Sequence, residues 1–566
     1  MKFSQMTYSR PDLEATKAEL AGLIEAFRQA ATADEAVSAF MDVDKFTVTI
    51  KSMIALASIR NSLDTTDEFY DAEKSYFDEV QPLLLEAMQP LKLALVGSPF
   101  RPALEEKFGT LMFTNIEMEL KTFDPVIVPD LQQENKLVSE YDKLIASAQI
   151  EFDGKTLTLA QIKPYFEDTD RSVRKAATTA TAQWFLERAD KLDSLYDELV
   201  KLRTQMAKKL GFASFTELGY YRMTRNCYDG EMVARFRKGV RDYIVPIAAR
   251  LKAEQAERIG LPSLKVYDDS FEHPDGNARP FGTPEEIFNH GRRMYHELSP
   301  QTAEFIDFML DNELFDVLTR PGKSAGGYCT TIDMYKSPFI FANFNGTAGD
   351  IDVLTHEAGH AFNAYMIRDR APSSLRQYTA ETAEVHSMSM EFFTWPWMDG
   401  FFDKTQEATD SDKYRYTHLA GALSFIPYGT MVDDFQHRIY ENPDMSPKER
   451  NDLWRELEGI YRPWLDLDET PFYEEGRRWQ SQLHIYVYPF YYIDYCLAQT
   501  VALSFWADSQ RDHAAAFQKY LKYIDFSGRK SFTESIAGCG LPSPFEPKMQ
   551  DSLATAAAQW LDERTP

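Results

Sequence analysis

Apolar residues recur every three or four positions along most of this chain, a helical period that leaves little room for extended structure. The pattern runs through LEATKAELAGLIEAFRQAATADEAVSAFMD, DEFYDAEKSYFDEVQPLLLEAMQPLKLALV and DRSVRKAATTATAQWFLERADKLDSLYDELVKLRTQMAKKL. With 566 residues, the chain is too long for one small core, so the period predicts a mainly α protein built as two lobes or one large helical body. No internal repeat or low-complexity tract interrupts it.

Strand signals are few. IEFDGKTLTL carries an Asp153-Gly154 turn between apolar arms and reads as a short hairpin. FDPVIVPD, from Phe123 to Asp130, reads as a proline-broken extended linker. Together they predict an N-terminal helical lobe over residues 1–125, a connecting segment over 126–160, and the remainder over 161–566. EHPDGNARPFGT reads as a further loop. GGYCTTIDMY and PFIFANF, the second ending at Asn345-Gly346, can pair as a small β-sheet directly before the next helix.

The formal net charge of −27 argues against nucleic-acid and anionic-membrane partners. No apolar run is long enough to span a bilayer, and the N-terminus shows no export-signal pattern, so a cytoplasmic location is expected. The four cysteines form no CxxC pair and are expected to be free thiols. No P-loop or GxSxG signal is present.

The stretch VLTHEAGHAF carries the chemistry. Asp350 or Asp352 can cap a helix starting near Ile351, and Pro372 ends it. His356 and His360 then lie about 6 Å apart along one face, where both imidazoles can meet one zinc ion. Glu357 is rotated by about 100° from His356. It can sit beside the metal without ligating it, as a general base for water requires. AETAEVHSMSMEFF reads as a second helix stopped by Pro396, with Glu381, Glu384, Met388 and Glu391 on one face. Three clustered acids repel each other unless a cation is near. One of them holding a divalent metal, with the others bonded to the ligand histidines, removes that objection. His386, beside the turn of Glu384, reads as a packing residue or one supporting the ligands rather than as a ligand. His418, His437 and His513 lack metal-spaced partners and read as surface or structural residues.

HEAGH followed by AEVHSMSME resembles the oligoendopeptidase F branch of the thimet oligopeptidase family of zinc metallopeptidases. The resemblance extends through GGYCTTI, FANFNGT, HIYVYPFYYIDYCLAQ and SFTESIAGCGLPSPFE, and so covers most of the chain. It implies a large helical two-lobed ellipsoid of the gluzincin type of zincin, with a small β-sheet beside the HExxH helix and a deep cleft within 161–566. It also implies that the glutamate of E-x-x-S, here Glu384, is the third zinc ligand, with one zinc per chain. Glu381 and Glu391 then fall to the outer shell. Thimet-type members have proline where this chain has His386.

A histidine and tyrosines of the family reach over the zinc, and by position these are His484, Tyr491 and Tyr495. Pro489 suits a first helical turn, which places Tyr491 and Tyr495 on one face with His484 in the loop before. A further family tyrosine falls on Ala498. A peptide can add as a strand to a sheet edge offered by Gly326, Gly327 or Phe341–Phe344. The implied function is zinc-dependent oligoendopeptidase activity on internal bonds of short peptides. Two alternatives stand beside it: a helical HExxH-type metallocarboxypeptidase, which needs a cation for the substrate carboxylate, and a non-catalytic peptide-binding protein. Oligomeric state is not legible.

Overall fold

The computed structural model describes residues 1–402 and 410–564. Helix accounts for 70% of the fold and strand for 5%, as the dominant period requires. The helices that matter here are α1 (Leu13–Arg28), α2 (Ala33–Leu63), α3 (Glu68–Val96), α4 (Val128–Ala146) and α5 (Phe215–Arg222). They are followed by α6 (Gly349–Ile367), α7 (Ala380–Phe393), α8 (Asp410–Glu441), α9 (Leu483–Val487) and α10 (Tyr492–Ser509). None among the described residues is long and apolar enough to cross a membrane.

Two apolar cores form. The smaller gathers Leu20, Ile24, Phe40, Leu91 and Phe113 from the N-terminal helices. The larger runs through the rest of the chain. Helix α2 enters both: Phe40 and Val43 belong to the small core, and Met53, Leu56 and Ile59 to the large one. Two polar contacts reinforce that strut. Ser52 Oγ accepts from the Met334 amide at 2.8 Å, and the Asp44 carboxylate accepts from the Ser373 amide at 2.9 Å.

The hairpin forms as read, with β1 (Ile150–Phe152) antiparallel to β2 (Lys155–Leu157). Asp153 and Gly154 take φ of 52° and 68°, the left-handed pair that a two-residue turn demands. The linker before it is not extended. Pro125–Ile127 makes a 3₁₀ turn and α4 begins at Val128, because proline sits comfortably in a first helical turn.

The site sheet has three strands: β3 (Phe315–Leu318), β4 (Tyr328–Ile332) and β5 (Ser337–Phe344). Their order is β3-β5-β4. Strand β5 pairs in parallel with β3 and antiparallel with β4, and Phe341 is paired on both sides, whereas Phe344 is paired on the β3 side alone. The edge on the GGYCTTI side is β4.

Candidate active site

Helices α6 and α7 lie unusually close because a glycine stands at their contact. A Cβ on Gly359 would lie 2.6 Å from the His386 carbonyl oxygen and from the Ser387 Cα, nearer than any side chain allows. Neither aspartate caps α6. Asp350 accepts the amides of Asn345 and Gly346 at 2.8 and 2.7 Å, which fixes the turn leading in. Asp352 instead accepts the Tyr414 hydroxyl at 2.6 Å.

The close approach brings Glu384 to both histidines. Its Oε2 lies 3.2 Å from His356 Nε2 and 3.3 Å from His360 Nε2, and the three donor atoms fall within 4.8 Å of one another. Burial alone would raise the Glu384 pKa, but the two imidazoles hold it well below the carboxylate range. Burial would lower the His356 pKa, yet Glu384 and Glu391 hold it well above the usual histidine value. The cluster therefore favours positive charge between the carboxylate and the rings, and two imidazoles with one carboxylate suit a tetrahedral divalent ion.

Glu357 stands beside these donors, buried, with its Oε2 lacking any hydrogen-bond partner among the described residues. Burial raises its pKa, with the two histidines opposing. Gly327 of the sheet edge passes close by: a Cβ there would lie 3.3 Å from Glu357 Oε1.

A chain of hydrogen bonds sets the His356 tautomer. The Trp395 indole N–H donates to His418 Nδ1 at 3.0 Å. An indole cannot accept, so His418 carries its proton on Nε2, 2.7 Å from Glu391 Oε2. Glu391 Oε1 then lies 2.6 Å from His356 Nδ1. The Nδ1–H donates to Glu391, which leaves Nε2 as the atom that can share a cation with Glu384. Burial opposes and Glu391 favours protonation of His418, with a net upward shift; the indole bond nonetheless needs its Nδ1 lone pair. Of the two readings its isolation in the sequence allowed, surface or structural, His418 takes the second: it is bonded to Trp395 and Glu391, and the Tyr414 ring stacks on it at 5.6 Å. Glu381 takes another course. It accepts from Thr379 Oγ1 at 2.5 Å rather than from a ligand histidine, and burial beside Asp494 raises its pKa to about 8.

His386 is packing: Ser527 Oγ lies 2.9 Å from its Nε2, among the rings of Tyr378 and Tyr523. His437 and His513 are structural, bonded to Tyr220 Oη and the Phe393 carbonyl.

His484 lies on the short helix α9, not in a loop, and α10 begins at Tyr492, after Pro489 and a left-handed Phe490. Tyr491 donates its hydroxyl to Glu384 Oε1 at 2.6 Å. Tyr428 donates to Gln482 Oε1 at 2.6 Å, which leaves the Gln482 amide N–H to meet His484 Nδ1 at 3.1 Å. Burial lowers the His484 pKa to about 4 against the pull of Glu384, so the ring is neutral with its proton on Nε2. That N–H meets Tyr495 Oη at 3.2 Å, and Tyr495 keeps its own proton to donate elsewhere.

A cavity of about 260 Å³ opens over the donors. Gly327, Tyr328 and Thr331 of the sheet edge form one wall, Tyr491 and Tyr495 another, and Tyr378 closes a third side. His484 does not border it and reaches it through Tyr495.

Residues 165–555 match Peptidase family M3, and residues 3–123 match the Peptidase M3 N-terminal domain. The chain belongs to peptidase family M3. Among solved structures, this M3 peptidase is similar to PZ peptidase A with inhibitor 2, at 47% identity over 99% of each chain with a TM-score of 0.97. It is 44% identical to an oligoendopeptidase F from Bacillus anthracis str. Ames, over 100% of this chain and 98% of that one, with a TM-score of 0.93. Oligopeptidase PepF of Bacillus subtilis (strain 168) is 20% identical over 544 residues, 91% of this chain and 78% of its own. These relations place the M3 peptidase in the oligoendopeptidase F branch, among metalloendopeptidases.

Proposed function

We propose that this M3 peptidase is a zinc-dependent oligoendopeptidase that cuts internal bonds of short peptides. The observation that carries the reading is the convergence of His356, His360 and Glu384 beside the unpartnered carboxylate oxygen of Glu357. The three ligands would hold one zinc per chain. When bound, zinc supplies Lewis acidity that polarises the scissile carbonyl and activates water. Glu357 takes the proton of the attacking water and passes it to the leaving amine. Tyr495, held by His484, donates its hydroxyl to the carbonyl oxygen as negative charge builds there. Tyr491 holds Glu384 in place, and its hydroxyl borders the same space.

The peptide lies along the edge strand β4, where Gly327 gives its backbone room. No lysine or arginine lines the cavity among the described residues. That favours internal cleavage over trimming of a free C-terminus, which needs a cation for the carboxylate. The reading includes an N-terminal lobe over 1–125, a connection over 126–160, a catalytic unit over 161–566, and work in the cytoplasm.

Glu357→Gln tests the core of it. The variant keeps its zinc by elemental analysis and loses turnover of a doubly blocked peptide by on the order of 10²–10⁴-fold. Parental turnover in a zinc-loaded Glu357→Gln variant would remove Glu357 from the mechanism. A zinc-loaded parent that cleaves nothing in a mixed peptide library would favour a binding protein.

A further inference from the structure

We infer that Gly219, Arg225 and Gln436 are positioning residues: they hold the Phe490 turn in the conformation that delivers the Tyr491 hydroxyl to Glu384. Phe490 has φ of 68°, a left-handed backbone that a residue with a Cβ adopts only when its surroundings impose it. Here every part of the residue is gripped. Its N–H donates to Gln436 Oε1 at 3.0 Å. Its carbonyl accepts from Arg225 Nη2. The same nitrogen reaches Asp494 Oδ1 at 3.2 Å, in the first turn of α10, and Tyr228 Oη donates to that oxygen at 2.8 Å. Arg225 and Asp494 side chains are fully buried, so this ion pair has no water to replace it if one partner is lost.

The ring of Phe490 is held as firmly as its backbone. It packs among Phe215, Tyr220, His437 and Tyr440. Its edge fills the place of an absent side chain: a Cβ on Gly219 of α5 would lie 2.6 and 2.8 Å from Phe490 Cδ2 and Cε2. Tyr491 is the next residue. The turn sets where α10 starts, and so where Tyr491 Oη sits, 2.6 Å from Glu384 Oε1. None of the three residues borders the cavity. Their effect on the centre passes through Tyr491.

This rests on Glu384 being a metal ligand, and the test separates the two. Zinc affinity is measured by competition with a chromophoric chelator on the full chain, a readout independent of turnover. Tyr491→Phe is expected to weaken zinc binding by on the order of 10-fold or more. Gly219→Ala is expected to do the same, because the added methyl displaces the Phe490 ring. In the Tyr491→Phe background Gly219→Ala should cost nothing further, since the two act on one contact. Gly219→Ala with Phe490→Leu should recover affinity, because the shorter side chain makes room for the methyl. Arg225→Lys, which keeps the charge but loses the fork, gives a second route should Gly219→Ala fail to fold.

A parent that binds no zinc would sink the proposed centre and this inference with it. A zinc-binding parent whose folded Gly219→Ala and Arg225→Lys variants keep parental affinity overturns the inference alone. So do losses that add fully to that of Tyr491→Phe.

Discussion

Trp395 donates one indole proton to His418, and that direction passes through Glu391 to His356. The consequence belongs to single residues. Trp395→Phe removes the donor and lets His418 turn over or protonate. His418→Leu removes a buried donor to Glu391. Both should keep the fold and weaken zinc binding by about 10–100-fold, His418→Leu more than Trp395→Phe, in a chelator competition. Unchanged affinity in both would mean that the His356 tautomer is set elsewhere. The sequence shows why part of this was readable. His356, Glu357 and His360 share one helix, and helical geometry alone puts the two rings on one face. Glu384 and Glu391 share a second face seven residues apart, so both point at the same neighbour. His418 arrives from α8, and no local period encodes a contact between helices distant in the chain. Glu381 shares the periodicity of Glu384 yet turns to Thr379, because a face is wider than a single metal site.

The glycine inside HEAGH sets the spacing between elements. Gly359 faces the backbone of α7 at His386 and Ser387. A methyl there cannot be absorbed by a flexible side chain, because the obstructing atoms are main chain. Gly359→Ala should push α7 outward, destabilise the fold by about 1–3 kcal/mol as overpacked cores do, and separate Glu384 from the histidines. The two losses are read by urea unfolding and by zinc content. A variant with parental zinc content would show that α7 can slide without losing its ligand. Helices α6 and α7 were legible to within a few residues, since Pro372 follows the end of the first and Pro396 the end of the second. The sheet was legible only in part. Strands β4 and β5 are adjacent in sequence and meet through a turn, whereas β3 is four residues long and joins in parallel with β5. Parallel pairing leaves no local turn signal, so β5 looked like an edge until β3 covered it.

At the scale of the whole molecule, charge and burial make opposite demands on acid stability. A net charge of −27 means that mild acid relieves diffuse repulsion, but physiological salt screens exposed charges that lie more than roughly 8 Å apart. Buried groups escape the screening. Burial takes His437 down to about 4 and His273 to about 3, against about 6.5 in an unfolded chain. Both are depressed, so each supports the fold fully above pH 6.5 and loses that support as pH falls toward its folded value. For His437 the loss between pH 7.5 and pH 5 is on the order of 2 kcal/mol. Carboxyls with raised pKa work the other way. Glu381, Glu167 and Asp142 titrate at about 8, 7 and 6, and protonating them as pH falls relieves their burial cost. The net pH profile of the parent therefore mixes both signs, and the histidine contribution must be read as a difference. His437→Gln keeps a partner for the Tyr220 hydroxyl, 3.0 Å from the ring nitrogen, and cannot be protonated. Relative to the parent, it should gain stability by that same order as urea midpoints are followed from pH 7.5 to pH 5. A difference between the two proteins that stays constant over this range would mean that His437 is already charged, or already wet, in the folded state.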